Sequence, residues 1–292
     1  MTFSFLIVTR NRPNDLEVTL KRLHDIMNLD TDEVMVFIDG CNATKALISK
    51  YTWVQWHSSD KQLGASPARH QLYPLATKDI LIGLDDDAHP LETNFLDQVN
   101  TRFRESEHIG IIAFQEITGI FENDSKALSQ AKKGVEFKTN EFVGCGFAMR
   151  RSVYEQIVGF PTWMDIYGEE SAVAIQVLDK NYDIVYSYDI KVNHRKDSQG
   201  RRASGANYFR FEKQLVNTLG FYLIYYPKPT RKILKTIWHN GKKYAFKNPT
   251  YFSKYCKAIL TLLIQLPNYL QRRDPVDPST IQKRNALQNL TY

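Results

Sequence analysis

The sequence predicts an α/β fold, a mostly parallel central sheet flanked by helices, followed by a basic helical C-terminal region. Three observations carry that reading. Short apolar runs alternate with amphipathic stretches over the first two-thirds of the chain, the pattern of consecutive β-α-β units. Several of those runs end in acidic residues, most plainly Ile80-Leu81-Ile82-Gly83-Leu84 followed by Asp85, Asp86 and Asp87. The charge then changes sign: residues 1–194 carry 19 Lys+Arg against 28 Asp+Glu, and residues 195–292 carry 19 against 4.

Taken in order, Phe3–Thr9 reads as a buried strand. Pro13 opens a helix with Asn14 and Glu17 placed like a capping box, and Leu16, Leu20, Leu23 and Met27 form its apolar face. Val34–Ile38 is a second strand closed by Asp39-Gly40, residues 43–50 a short helix, and residues 54–57 a third strand. Residues 64–75 give a loop and a helix, and Ile80–Leu84 is the strand that delivers the acidic triplet. A helix over 95–103 and a strand over 109–114 follow. Residues 116–141 are polar, which suits a hairpin or excursion. Residues 142–150 read as a strand through Gly144-Cys145-Gly146, and Ser152 is placed to cap a helix. Residues 169–180 are helical, and 184–187 and 190–193 are short strands. A catalytic unit of residues 1–204 and a tail of 205–292 are expected.

In the tail, Phe252, Tyr255, Cys256, Ile259, Leu263, Leu266 and Leu270 recur at helical spacing with Lys254 and Lys257 nearby. Two readings stand side by side: a helix lying in the headgroup plane of a membrane, or one packed on the domain. No stretch approaches the roughly 18 apolar residues of a membrane span. The run from Phe3 to Val8 is too short for a signal peptide and lacks a basic leader. Cys41, Cys145 and Cys256 are odd in number and lack metal-ligand spacing, which suits a reducing compartment. A cytoplasmic protein, peripheral at the cytoplasmic face of a membrane, is the expectation.

Asp85, Asp86 and Asp87 say most about chemistry. Three adjacent carboxylates repel one another unless a cation sits among them, and ligand crevices in open α/β sheets lie at the carboxyl ends of the strands. The plainer alternative is a solvated acidic turn. Glu169 and Glu170 follow Gly168 at a helix start, where the dipole favours negative charge, or where a general base would stand beside an aromatic-walled cleft. Gly64 permits close backbone approach, and Arg69 on the helix after it offers a guanidinium to a phosphate or ribose. His194, at a strand end, is either a metal ligand or a surface histidine.

The order of these motifs resembles the family 2 glycosyltransferases, which have the GT-A nucleotide-sugar-binding fold. The resemblance runs through Thr9-Arg10-Asn11-Arg12, Asp39, Leu63-Gly64 with Arg69, Asp85-Asp86-Asp87, Gly144-Cys145-Gly146, Tyr167-Gly168-Glu169-Glu170 and His194. It covers residues 3 to about 195, and the tail is more loosely similar to bacterial rhamnosyltransferase-like members. It implies that Thr9 and Arg10 line the nucleotide pocket and that Asp39 meets the base. Gly64, Arg69, Asp85 and Asp86 would hold the donor. Asp87, with His194, would coordinate Mg²⁺ or Mn²⁺ on a nucleotide-diphospho-sugar. Gly144, Cys145 and Gly146 would border the acceptor, with Trp163 and Tyr167 as stacking platforms. Glu170 matches the catalytic base, although the family usually has Asp there, and Glu169 would share or assist that task.

The implied reaction is an inverting, metal-dependent sugar transfer to a hydroxyl of a glycan or lipid-linked glycan, with the basic tail on an anionic membrane surface. The competing readings are a nucleotidyltransferase, which lacks its early glycine-rich triphosphate loop here, and a nucleic-acid-binding protein. The acidic body and the lack of a recognisable binding module speak against the latter, so no nucleic-acid partner is expected.

Overall fold

The computed structural model describes residues 1–196 and 207–290. Nine strands form one sheet: β1 (Phe3–Thr9), β2 (Glu33–Asp39), β3 (Gln55–Ser59), β4 (Ile80–Asp85), β5 (Ala88–Pro90), β6 (Ile109–Thr118), β7 (Phe137–Thr139), β8 (Gly146–Arg150) and β9 (Asp183–His194). Their order is β3-β2-β1-β4-β8-β6-β9-β5, with β7 also paired to β9. Strands β1, β2, β3 and β4 are mutually parallel. Because β8 runs against both β4 and β6, and β9 runs with β6, only β5, β7 and β8 oppose the rest.

Parallel pairing has a functional consequence. With Val8 opposite Asp85 and Asp39 opposite Ser59, the carboxyl ends of β1, β2 and β4 share one edge of the sheet, so Thr9, Asp39 and Asp85 meet there. These strands are buried on both faces, which is why they read as continuous apolar runs and not as alternating ones.

Helices cover both faces. Helices α1 (Pro13–Ile26) and α3 (Phe95–Glu105) pack Leu16, Leu20, Leu23, Phe95, Val99 and Phe103 against Phe5, Ile7, Val34, Val36 and Ile82. On the other face, α2 (Ala65–Leu72) and α6 (Glu169–Asp179) set Ala68, Leu72, Val173 and Val177 against Leu6, Met35, Leu81 and Phe147. Two short helices, α4 (Asp124–Leu128) and α5 (Arg151–Tyr154), complete the body.

The C-terminal helices are α7 (Tyr208–Tyr225), α8 (Thr230–Lys243), α9 (Pro249–Gln271) and α10 (Pro278–Ala286). They form a further layer over α6: Ala172 and Ile175 share a core with Leu215, Leu219, Ile224, Ala258, Leu262 and Tyr269. Helix α6 is thus covered by the sheet on one side and the tail on the other, which explains a helix apolar nearly all round. The boundary expected between residues 204 and 205 lies outside the described residues.

Several local expectations change. Helix α1 starts at Pro13 with Arg12 at its cap and no side-chain capping bond, so Asn14 and Glu17 form no capping box; Glu17 instead accepts from Tyr51 and pairs with Lys50. Residues 43–47 make a tight 3₁₀ turn. The strand expected over 142–150 starts only at Gly146, and Ser152 lies inside α5, not at its cap. The two short strands near the end are one long β9, whose register against β6 shifts between Phe114 and Gln115; residues 188–190 bulge out of the ladder and interrupt the apolar pattern.

Candidate functional site

Two acidic groups meet at the carboxyl edge of the sheet, with Arg69 between them. The first is the turn after β4. Asp86 is fully buried; its carboxylate accepts from Thr9 Oγ1 at 2.8 Å and pairs with Arg12 Nη2 at 2.6 Å. Burial pushes its carboxyl up to about 7, against the opposing pull of Arg12 and Thr9. Asp87 pairs with Arg12 Nη1 at 2.6 Å and with His194 Nε2 at 3.2 Å. Burial alone would raise Asp87, but His194 and then Arg12 outweigh it and hold the group at about 2.

His194 is buried at the end of β9, its Nδ1 2.6 Å from Glu116 Oε1. Burial disfavours the imidazolium, yet Asp87, Cys145 and Glu116 overcome that and push it up to about 12. Ligand atoms of Asp85, Asp87 and His194 lie within 4.8 Å of one another. Asp85 and Asp87 offer the carboxylate oxygens that suit Mg²⁺ or Mn²⁺, and His194 would add a nitrogen once a bound cation displaces its proton. Arg12, half-exposed in the loop before α1, lays its guanidinium across Asp86 and Asp87 and compensates their charge. These residues fit a divalent cation.

The second group is at the start of α6, which Gly168 introduces in the left-handed region (φ 111°). Glu169 is buried and Glu170 is partly exposed. Burial raises both carboxyls; Glu170 adds to the cost of ionising Glu169 and Asp85 to that of ionising Glu170, while Arg69 opposes both shifts. Arg69, on α2, is buried with Nη2 at 2.8 Å from Asp85 Oδ1 and Nη1 at 3.3 Å and 3.6 Å from Glu169 and Glu170. Its Nη2 also lies 3.4 Å from the Gly144 carbonyl, and its charge sits over the Phe160 ring. One guanidinium therefore joins the metal-suited acids to the glutamate pair.

Gly144 borders this junction. A Cβ there would stand 2.3 Å from Glu170 Oε1 and about 3 Å from both terminal nitrogens of Arg69. The chain needs a glycine so that the carboxylate and guanidinium can approach its backbone. Cys145 points inward, its thiol among the ligand atoms of Glu116 and His194 and raised to about 12 by burial. Gly146 is inside β8, where a Cβ would meet Val192.

The remaining expected residues sit around this centre. Asp39 is buried, and its two carboxylate oxygens accept from the backbone N–H groups of Leu63 (2.6 Å) and Gly64 (3.0 Å). It therefore anchors the loop that carries Arg69's helix. Gly64 has φ 98° and presses on Asp165, and Arg10 is exposed. Tyr167 lies under the Arg210 guanidinium of α7 (5.2 Å), and Trp163 packs edge-on against Tyr269 of α9 (5.5 Å). Trp163 also helps line a cleft of about 400 Å³ between Leu63, Pro67, Asp165 and the tail residues Lys213 and Gln265.

Sequence reasoning missed Arg12, Glu116 and Arg195. Arg195 donates to the backbone carbonyls of Asp15 and Asp86 and to Thr19, fixing the acidic turn from behind. The signal for Arg12 was its place in the first motif, two residues from Arg10. Glu116 carried none, since only strand pairing brings it beside His194.

The family model for "Glycosyl transferase family 2" matches residues 4–158. The chain belongs to that family. Among solved structures, the mannosyltransferase PcManGT from Pyrobaculum calidifontis, in complex with GDP-Man and Mn²⁺, aligns with a TM-score of 0.59 at 15% identity, over 97% of this chain and 83% of that one. S. aureus TarS 1–349 gives 0.61 at 13%, over 97% and 83%. GalNAc-T7 with UDP, GalNAc and Mn²⁺ gives 0.65 at 13%, over 92% and 57%. At these identities the likeness shows a shared fold. No curated protein sequence matches the chain. The family assignment removes the nucleotidyltransferase reading as an account of the acidic site. No helix among the described residues is long and apolar enough to cross a membrane.

Proposed function

We propose that this family member moves a sugar from a nucleotide-diphospho-sugar to a hydroxyl of a glycan or lipid-linked glycan, with inversion at the anomeric carbon. The observation that carries the reading is the Arg69 junction, which sets the donor set of Asp85, Asp87 and His194 against the Glu169-Glu170 pair. A single displacement needs both halves: charge compensation for the leaving diphosphate, and a base for the incoming hydroxyl.

Asp85, Asp87 and His194 would hold Mg²⁺ or Mn²⁺, which supplies positive charge to the departing nucleoside diphosphate. PcManGT and GalNAc-T7 were solved with Mn²⁺, which supports that choice. Thr9 and Asp86, already hydrogen-bonded to each other, form the wall toward the nucleoside, and Arg10 lies exposed at its rim. Glu170, the more exposed of the pair, takes the acceptor proton as its oxygen attacks. Its raised carboxyl makes it a stronger base than a surface glutamate. Glu169, buried behind it, and Arg69 fix its position and balance its charge. Gly144 and Tyr167 border the space left for the acceptor.

A panel of nucleotide-diphospho-sugars, read by thermal shift with Mn²⁺ and with chelator, tests the reading. Stabilisation by one donor only when metal is present is expected, and that donor should release nucleoside diphosphate on transfer. Stabilisation indifferent to metal, or by no diphospho-sugar, would overturn it.

A further inference from the structure

Helix α9 buries one face and leaves the other with no partner among the described residues. Ala258, Leu262 and Tyr269 face α7, while Phe252, Leu260, Leu263, Ile264 and Leu270 are 48–66% exposed. At 100° per residue these five side chains fall within a sector of about 120°, and from Phe252 to Leu270 the stripe runs for about 27 Å. Lys257, with 62% of its side chain exposed, marks one border of the sector. Monomeric proteins rarely leave a continuous apolar band of this kind in water.

A second helix repeats the pattern. On α8, Leu234 and Trp238 are 62% and 59% exposed and stand one turn apart. Arg231, Lys235 and Lys242 share that face, and the Lys242 ammonium sits 4.5 Å over the Trp238 ring. Of the four acids in residues 195–292, Glu212 is already paired with both Lys254 and Lys257. On α8, Arg231, Lys235 and Lys242 form no ion pair with an acid among the described residues.

From this juxtaposition of an unpartnered apolar stripe with unopposed cations we infer that the tail docks on an anionic lipid bilayer. The stripe beds at the boundary between headgroups and acyl chains, and the lysines and arginines meet lipid phosphates. Charge decides between occupants. A second copy would set two basic surfaces against each other, and nucleic acid would leave Leu260, Leu263 and Ile264 in water. An anionic membrane satisfies both features together. This surface is separate from the acid-lined site, so the inference stands or falls independently of the transfer reaction.

The test is flotation of the full chain with phosphatidylglycerol–phosphatidylcholine vesicles and with phosphatidylcholine vesicles, at low and physiological salt. Binding to the anionic vesicles is expected, weakened but not abolished by salt. The double variant Leu263→Gln, Ile264→Gln replaces only exposed side chains and should keep its melting temperature. It should bind about 10–100-fold less, since each apolar side chain withdrawn from water is worth roughly tenfold or more. Absence of flotation with anionic vesicles, or equal flotation of the variant, would overturn the inference. Concentration-dependent self-association abolished by the same variant would overturn it too, by assigning the stripe to a second copy.

Discussion

Gly144→Ala is the most discriminating single-atom perturbation of the site. The added Cβ would lie 2.3 Å from Glu170 Oε1 and 3.0 Å from Arg69 Nη2. Carbon and oxygen need about 3.3 Å, so the carboxylate must retreat by about 1 Å. Gly144 is not among the positive-φ residues, so alanine brings no backbone strain, and the clashing atom is the mobile end of a side chain. The fold should therefore survive while the base moves. A misplacement of about 1 Å costs on the order of 10²-fold in rate. The assay is steady-state transfer with the donor found by screening, paired with calorimetric donor binding in Mn²⁺. The expected result is kcat down about 10²-fold with donor affinity nearly unchanged. A variant with kcat within twofold of the parent would show that Glu170 is not where proton transfer happens.

Three further outcomes follow from the same geometry. Glu170→Gln should lose about 10²–10⁴-fold in transfer while still binding donor; near-normal turnover would move the base to Glu169. Arg12→Gln removes the guanidinium that spans Asp86 and Asp87, so Mn²⁺ titrated without nucleotide should bind more tightly. Weaker or equal binding would make Arg12 a bystander to the cation site. His194, raised from 6.5 to about 12, contributes stability that is complete below about pH 6.5 and is lost as pH rises through about 12. The melting deficit of metal-free His194→Gln should accordingly be largest near about pH 6 and shrink by about pH 10; a deficit that grows with pH contradicts the imidazolium between Asp87 and Glu116.

What the sequence made legible follows from locality. Asp85, Asp86 and Asp87 were readable because an apolar strand and its acidic terminus are neighbours in the chain, and parallel pairing carries Thr9 and Asp39 to the same edge. Arg69, Glu169 and Glu170 were readable through the order of motifs, but not their junction, which needs α2 and α6 side by side on one face. Arg12 and Glu116 act through contacts spanning 75 and 78 residues, which no periodicity records. Asp39 shows the same limit, since its carboxylate is engaged by the Leu63-Gly64 backbone. In the tail, spacing showed an amphipathic helix but not which face α7 would cover. The structure buries Ala258, Leu262 and Tyr269 with the residues of α7 and exposes Leu260, Leu263 and Ile264.

Anomalous diffraction from crystals grown with Mn²⁺ and the donor tests the central claim most directly. A single strong manganese peak in coordinating contact with Asp87 and His194, touching the donor diphosphate and with the Arg12 guanidinium displaced, is the result expected. Donor bound in the cleft with manganese elsewhere, or with none, would contradict it.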